Sequence, residues 1–186
     1  MFVKVCGITN DCDLLMAIKL GFSAVGFVRH RKSKRFIDEN KLKNLLSIAE
    51  GKIKRVVVGI SFDEVAPYIT LADYVQVYEP INHKKVIYAS DNFEFNVDCA
   101  YFLYDTSKGS GKTSEIPLKL RDISKKLIIA GGLNEENVID VISDFSPFGV
   151  DVSSGVELEP GIKDHKKMEN FIKKINKFCE EKNSEI

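Results

Sequence analysis

A cysteine and an aspartate each stand at the end of a short apolar run, where their side chains could transfer protons. Cys6 follows Phe2-Val-Lys-Val and precedes Gly7, a residue type that lets the backbone turn and approach a ligand. Asp105 ends the apolar run 101–104, where partial burial favours a protonated carboxyl group. Considered singly, Cys6 is more often a packed side chain, and Asp105 is equally often a turn cap. The two residues are therefore candidates for acid and base groups, with packing and capping as the alternatives.

Two loops in the second half of the chain carry glycines and hydroxyls that suit an anion. Gly131 and Gly132 follow the apolar run 127–130, and Ser153, Ser154 and Gly155 follow the last apolar run. Backbone N–H groups at such turns bind phosphate. A single Gly-Gly pair is most often only a tight turn. Two such loops together predict a phosphate site.

A basic loop follows the second apolar run, from Arg29 to Arg35. Charge runs of this kind usually form a solvated surface. Arg35 is the exception we consider, because apolar Phe36 and Ile37 follow it and could hold it in place. A fixed guanidinium binds a carboxylate through two parallel hydrogen bonds.

The segment Lys108–Thr113 resembles the end of a nucleotide-binding P-loop. That motif requires a glycine five places before Gly111, where this chain has Thr106. We therefore interpret the segment as a glycine-rich lid over the site.

Short apolar runs alternate with helical patterns along the chain, which predicts an α/β fold with a parallel sheet covered on both faces. The predicted strands are residues 2–6, 24–28, 54–60, 74–78, 85–89, 101–105, 126–130 and 148–152. The predicted helices are residues 11–20, 39–50, 63–71, 134–143 and 165–179. Eight strands favour a compact (β/α)8 TIM barrel, in which residues 78–84 and 90–98 replace crossover helices by loops. An open doubly wound sheet is the alternative. In the barrel, the candidate residues would share the carboxyl end of the strands.

Composition limits the class of protein. A length of 186 residues predicts one domain, residues 1–186. Lys+Arg and Asp+Glu number 27 each, which argues against a nucleic-acid partner. The four cysteines have neither metal-ligand spacing nor the density of a disulfide scaffold, and no segment has the length of a membrane span. We expect a cytoplasmic protein with no metal site and no membrane partner.

The chain resembles the phosphoribosylanthranilate isomerases over nearly its whole length. The matching segments, in family order, are Lys4–Thr9, Ala24–Phe27, Ser33–Arg35, Asp73–Gln76, Asp105–Thr106, Gly111–Thr113, Ala130–Leu133 and Gly149–Glu157. The resemblance implies a (β/α)8 barrel that acts in tryptophan biosynthesis. Its reaction would be the Amadori rearrangement of N-(5-phosphoribosyl)anthranilate to 1-(2-carboxyphenylamino)-1-deoxyribulose 5-phosphate. It implies a small phosphorylated substrate, no cofactor, and a monomer or homodimer.

The resemblance also implies roles for individual residues. Asp105 matches the general acid that protonates the ribose ring oxygen, and Cys6 matches the base that removes the C2 proton. Arg35 matches the residue that holds the anthranilate carboxylate, and Asp151 would orient the substrate. The phosphate site would comprise Gly131, Gly132, Ser153, Ser154 and Gly155. The fourth strand departs from the family pattern Gln-Leu-His-Gly, because Gln76 is followed by Val77-Tyr78-Glu79.

Two other functions are compatible with a phosphate-binding barrel. A non-catalytic phosphosugar-binding barrel would need only the phosphate loops. A lyase or epimerase on this fold would need a catalytic lysine or metal ligands at strand ends, and we find neither in the sequence.

Overall fold

Eight parallel strands close into a barrel in the computed structural model, which describes residues 1–92, 96–105 and 116–184. The strands are β1 Phe2–Cys6, β2 Ala24–Val28, β3 Lys54–Val58, β4 Tyr74–Val77, β5 His83–Ser90, β6 Cys99–Asp105, β7 Leu127–Ala130 and β8 Gly149–Val152. Each strand pairs with the next one in the chain, and β8 pairs with β1. The predicted (β/α)8 barrel is confirmed, and the open sheet is excluded.

Within the described residues, four α-helices pack on the outside of the barrel. They are α1 Asp11–Leu20, α2 Glu39–Ala49, α3 Val138–Phe145 and α4 His165–Ser184. The start of α1 is fixed by Asn10, whose side chain accepts a hydrogen bond from the Asp13 backbone N–H, and α1 ends at Gly21 in the left-handed conformation (φ 78°). No helix within the described residues is long and apolar enough to cross a lipid bilayer.

Two of the predicted helices differ in the structure. Residues 63–71 form two short 3-10 turns, Phe62–Glu64 and Ala66–Tyr68, because Pro67 lacks the N–H that a longer helix needs. The helix predicted from Asn134 begins only at Val138. The Asn134 side chain accepts the backbone N–H groups of Glu136 and Asn137, and this local turn keeps those residues outside the helix.

The connections between the middle strands are short. Residues 78–82, between β4 and β5, contain no helix, and neither do the described residues between β5 and β6. A run of 3-10 turns, Leu118–Lys126, precedes β7. The lid predicted at Lys108–Thr113 lies outside the described residues.

Alternate residues of each strand point into the barrel, and their character changes along the strand. On β1 the inward residues are Phe2, Lys4 and Cys6, and on β6 they are Tyr101, Leu103 and Asp105. The amino end is closed by stacked aromatic rings, with 4.4 Å between the centroids of Tyr101 and Phe148. The carboxyl end presents the polar residues. The amino end of the barrel interior is therefore filled by apolar side chains, and the carboxyl end carries the polar side chains that could do chemistry.

A hairpin after β8 covers one side of the carboxyl end. It follows a 3-10 turn, Ser154–Val156, and pairs β9 Glu157–Glu159 with β10 Ile162–Lys163. The backbone N–H of Lys163 donates to the buried Asp13 carboxylate of α1. This bond holds the hairpin against α1, and the side chains of Glu157 and Lys163 on the hairpin are buried.

Closure of the barrel requires a residue without a side chain at position 149. A Cβ atom on Gly149 would lie 2.4 Å from the Phe2 carbonyl oxygen. We expect Gly149→Ala to force β1 and β8 apart and to lower the free energy of unfolding by about 3 kcal/mol, at the upper end of overpacking costs. Urea unfolding measures this loss.

Gly21→Ala is the matched control, because a Cβ atom there has no neighbour within 4 Å. Only the left-handed backbone is penalised, at about 1 kcal/mol. If Gly149→Ala lost no more stability than Gly21→Ala, the close packing of β1 on β8 would not be a requirement for closure.

Candidate active site

The carboxyl ends of the strands and the loops after them enclose a cavity of about 470 Å³. All the predicted site residues except Gly155 line it, namely Cys6, Arg35, Asp105, Gly131, Gly132, Asp151, Ser153 and Ser154. They come from both ends of the sequence and from its middle. One cavity therefore holds a thiol, two carboxyl groups, a guanidinium and the glycine and serine loops.

The two glycine-containing loops are packed against each other. Gly131 and Gly132 both have positive φ values, 92° and 68°, a conformation that glycine adopts without strain. A Cβ atom on Gly155 would lie 1.9 Å from the Leu133 carbonyl oxygen. Gly155 therefore lets the loop after β8 lie directly on the loop after β7, although it does not itself line the cavity.

A buried ion pair lies beneath Cys6 in the barrel interior. The ammonium of Lys4 contacts the Asp151 carboxylate at 2.7 Å, and Lys4 is completely buried. Gly26 on β2 makes room for both Lys4 and Cys6, because a Cβ atom there would lie 2.7 Å from the Cys6 Sγ. The cysteine therefore stands next to a lysine from its own strand.

Burial and charge act on the Cys6 thiol in opposite directions. Burial raises its pKa, the ammonium groups of Lys4 and Lys163 oppose this rise, and Asp151 adds to it. Burial works to lower the pKa of Lys4, but Asp151 and Cys6 outweigh burial and the pKa is raised. Lys4 is therefore a permanent cation at neutral pH. In the ligand-free site Cys6 rests as a thiol, and the lysines stabilise the thiolate once it forms.

A second charged cluster connects Cys6 to Arg35. Lys163 donates to the Cys6 carbonyl oxygen at 2.6 Å and to Glu157 at 2.8 Å. Glu157 in turn accepts two hydrogen bonds from Arg35, at 2.8 and 2.6 Å. Burial works to raise the pKa of Glu157, but Arg35 and Lys163 outweigh it, so the pKa is lowered and the carboxylate stays charged.

The clamp on Arg35 fixes the direction of its guanidinium. Glu157 engages the Nε and Nη2 atoms, so the Nη1 edge is the one that can receive a ligand carboxylate. The Arg35 side chain also lies on the turn at Gly7, where a Cβ atom would be 2.4 Å from its Cδ. The absence of a side chain at Gly7 therefore leaves the space that the Arg35 side chain occupies.

Opposite Cys6, the Asp105 carboxyl group accepts a hydrogen bond from Tyr78. The distance from Tyr78 Oη to Asp105 Oδ2 is 2.8 Å.

Two further polar atoms at the cavity, Gln76 Oε1 and Asp151 Oδ1, are buried and have no hydrogen-bond partner within the described residues. Buried acceptors of this kind suit the hydroxyl groups of a sugar.

The comparisons with known proteins agree with this geometry. The family model described as N-(5'-phosphoribosyl)anthranilate (PRA) isomerase matches residues 64–174. The N-(5'-phosphoribosyl)anthranilate isomerase of Thermotoga maritima is 36% identical in an alignment that covers 92% of this chain and 96% of the relative. The chain belongs to this isomerase family. The predicted resemblance is confirmed.

Solved structures of the isomerase family share the fold. The enzyme from Thermus thermophilus has a TM-score of 0.79 at 26% identity, over 96% of this chain and all of that one. The Thermotoga maritima structure also has a TM-score of 0.79, at 30% identity, over 95% of this chain and 98% of that one. A further isomerase structure contains reduced 1-(o-carboxyphenylamino)-1-deoxyribulose 5-phosphate. Its TM-score is 0.76 at 32% identity, over 95% of this chain and 98% of that one.

Sequence reasoning assigned no role to Lys4, Glu157 or Lys163. Lys4 did carry a signal, because a charged residue at an inward position of an apolar strand must find a partner. Glu157 and Lys163 stand in segments that match the family, but the match gave neither of them a role, since their contacts depend on how the hairpin after β8 folds back onto the barrel.

The buried Lys4–Asp151 pair makes a prediction about stability. Lys4→Met leaves the Asp151 carboxylate without its cation, and we expect a loss of about 3 kcal/mol or more in the free energy of unfolding at pH 7. Burial raises the pKa of Asp151, so its charged form destabilises the fold. The loss should therefore shrink as pH falls and Asp151 takes up a proton.

Urea unfolding between pH 4 and pH 8 measures this dependence. The double variant Lys4→Met, Asp151→Asn removes both charges and should be more stable at pH 7 than Lys4→Met alone. A Lys4→Met loss that does not change with pH, together with no recovery in the double variant, would show that the pair is not the origin of the effect.

Proposed function

We propose that this chain converts N-(5-phosphoribosyl)anthranilate to 1-(2-carboxyphenylamino)-1-deoxyribulose 5-phosphate, with Cys6 and Asp105 as its proton-transfer residues. The observation that carries the proposal is that one cavity contains both residues together with the two glycine loops and Arg35. The substrate has one phosphate and one carboxylate, and the cavity has a place for each.

The charged groups of the cavity suggest one orientation of the substrate. The backbone N–H groups of Gly131 and Gly132 and the hydroxyls of Ser153 and Ser154 would bind the phosphate. The Nη1 edge of Arg35 would bind the anthranilate carboxylate. The ribose then lies between them, above Asp151 and Gln76, whose buried oxygen atoms accept its hydroxyls.

Ring opening is the first chemical step. Asp105 donates its proton to the ribose ring oxygen as the bond between that oxygen and C1 breaks. The nitrogen lone pair forms the second bond to C1 and gives a protonated Schiff base, so the ring oxygen leaves as a neutral hydroxyl.

Proton abstraction at C2 is the second step. Cys6 acts after its thiol proton has passed to water. The thiolate then removes the C2 proton, and the electron pair of that bond moves toward the Schiff-base nitrogen to give the enolamine. The enolamine tautomerises to the ketone. Lys4 and Lys163 assist because their ammonium groups stabilise the thiolate that must form in a buried site.

We also propose that the whole chain acts as one domain, in the cytoplasm, as a monomer or homodimer. The Thermotoga maritima isomerase is a dimeric relative. Sedimentation of the purified chain distinguishes the two states.

The central prediction concerns the two proton-transfer residues. We expect Cys6→Ala and Asp105→Asn each to lower kcat by about 10²- to 10⁴-fold, the usual value of a positioned acid or base. The assay follows the anthranilate adduct by absorbance or fluorescence with freshly prepared substrate. Circular dichroism of each variant checks that the fold is retained. Normal turnover in either variant would remove that residue from the mechanism, and phosphate binding without any turnover of the unaltered chain would favour the non-catalytic barrel.

A second prediction concerns Arg35. Arg35→Met should raise KM by about 10- to 100-fold with a smaller change in kcat, because it removes a charge-assisted contact made in the bound state. Arg31→Met is the control, since Arg31 is exposed in the same loop and does not line the cavity. Equal effects of both substitutions on KM would indicate that the loop attracts substrate by its overall charge.

A further inference from the structure

Tyr78 occupies a special position in the cavity. It follows β4 directly and is the inward residue two places beyond Gln76. Its side chain packs against the apolar residues of the barrel interior, and its hydroxyl reaches the Asp105 carboxyl group at 2.8 Å. The ring therefore lies in the barrel wall while the phenol oxygen contacts a proposed catalytic group.

We infer that Tyr78 positions Asp105 by fixing which carboxyl oxygen carries the transferable proton. The inference rests on the proposed function, because it assigns Tyr78 a task in the ring-opening step. A carboxylic acid has a single O–H donor. Since Oδ2 accepts the phenol hydrogen, a protonated Asp105 carries its proton on Oδ1. Tyr78 thereby selects one orientation of the acid before the substrate arrives.

The electrostatic surroundings keep the phenol neutral. Burial, followed by the charge of Asp105 and the hydrogen bond to it, raises the pKa of Tyr78 far above its ordinary value, and Cys6 and Asp151 add to the rise. These groups face Tyr78 from β6, β1 and β8, and Lys4 and Lys163 lie beside Cys6. A phenol in this environment holds its proton, so Tyr78 acts through Asp105 and does not supply the proton itself.

The test is the variant Tyr78→Phe, which keeps the ring and its packing. We expect kcat at the pH optimum to fall by about 10- to 100-fold, within the value of one oriented proton-transfer group. KM should change by less than about twofold. A fall in kcat with an unchanged KM separates this role from a loss of substrate binding, and circular dichroism checks that the fold is retained.

Tyr101→Phe is the matched control. Tyr101 is an inward tyrosine of β6 at the opposite end of the barrel, and its side chain forms a hydrogen bond with Tyr74. Its substitution should leave kcat and KM unchanged. If the unaltered chain turns over and Tyr78→Phe has the same kcat, the inference is overturned and the proposed function stays intact. No turnover by the unaltered chain overturns both.

Discussion

The pairing of the first strand with the last is the constraint on which the site depends. Parallel pairing in register sets Lys4 beside Asp151, and because both side chains point inward they meet in a 2.7 Å ion pair inside the barrel. Removing two charges from water is costly, and the pair offsets that cost only with close contact. The same pairing brings the Cys6 carbonyl oxygen within 3.1 Å of the Ser153 hydroxyl. Closure therefore joins the backbone of the cysteine to the loop that we assign to phosphate.

The charges around the cavity are arranged before any ligand binds. Arg35 is clamped by Glu157, which is itself paired with Lys163, and Lys163 contacts the cysteine backbone. A clamped guanidinium loses little freedom when it receives a carboxylate. Cys6 is prepared differently: burial favours the thiol, and two ammonium groups lower the cost of ionising it. The site thus holds its binding groups rigid, and its two ammonium groups favour the thiolate form in which Cys6 can accept a proton.

The sequence predicted the barrel and most of the cavity, because both depend on local patterns. Apolar runs indicate strands, and in a parallel barrel the ends of those strands meet, so Cys6 and Asp105 could be placed together in advance. The helix predicted over 63–71 was wrong because Pro67 breaks it, and α3 begins late because Asn134 forms its own turn. Both errors come from single residues that override a periodic pattern.

The partners of the site residues could not be predicted, because they lie far apart along the chain. Glu157 is 122 residues from Arg35, and Asp151 is 147 residues from Lys4. Only the register of closure and the fold of the hairpin after β8 decide those contacts. The phosphate loops were recognisable as turns, whereas the packing of Gly155 on the Leu133 carbonyl oxygen depends on the approach of two loops in space.

The most direct test of the account is a crystal structure of this chain with reduced 1-(o-carboxyphenylamino)-1-deoxyribulose 5-phosphate, the compound bound in a solved relative. The account predicts the phosphate on the loops after β7 and β8 and the carboxylate on Arg35. Cys6 Sγ should lie about 3.5 Å from C2, the separation of reacting atoms in a productive complex. A ligand bound in the reverse orientation, with its phosphate on Arg35 and C2 out of reach of Cys6, would contradict it.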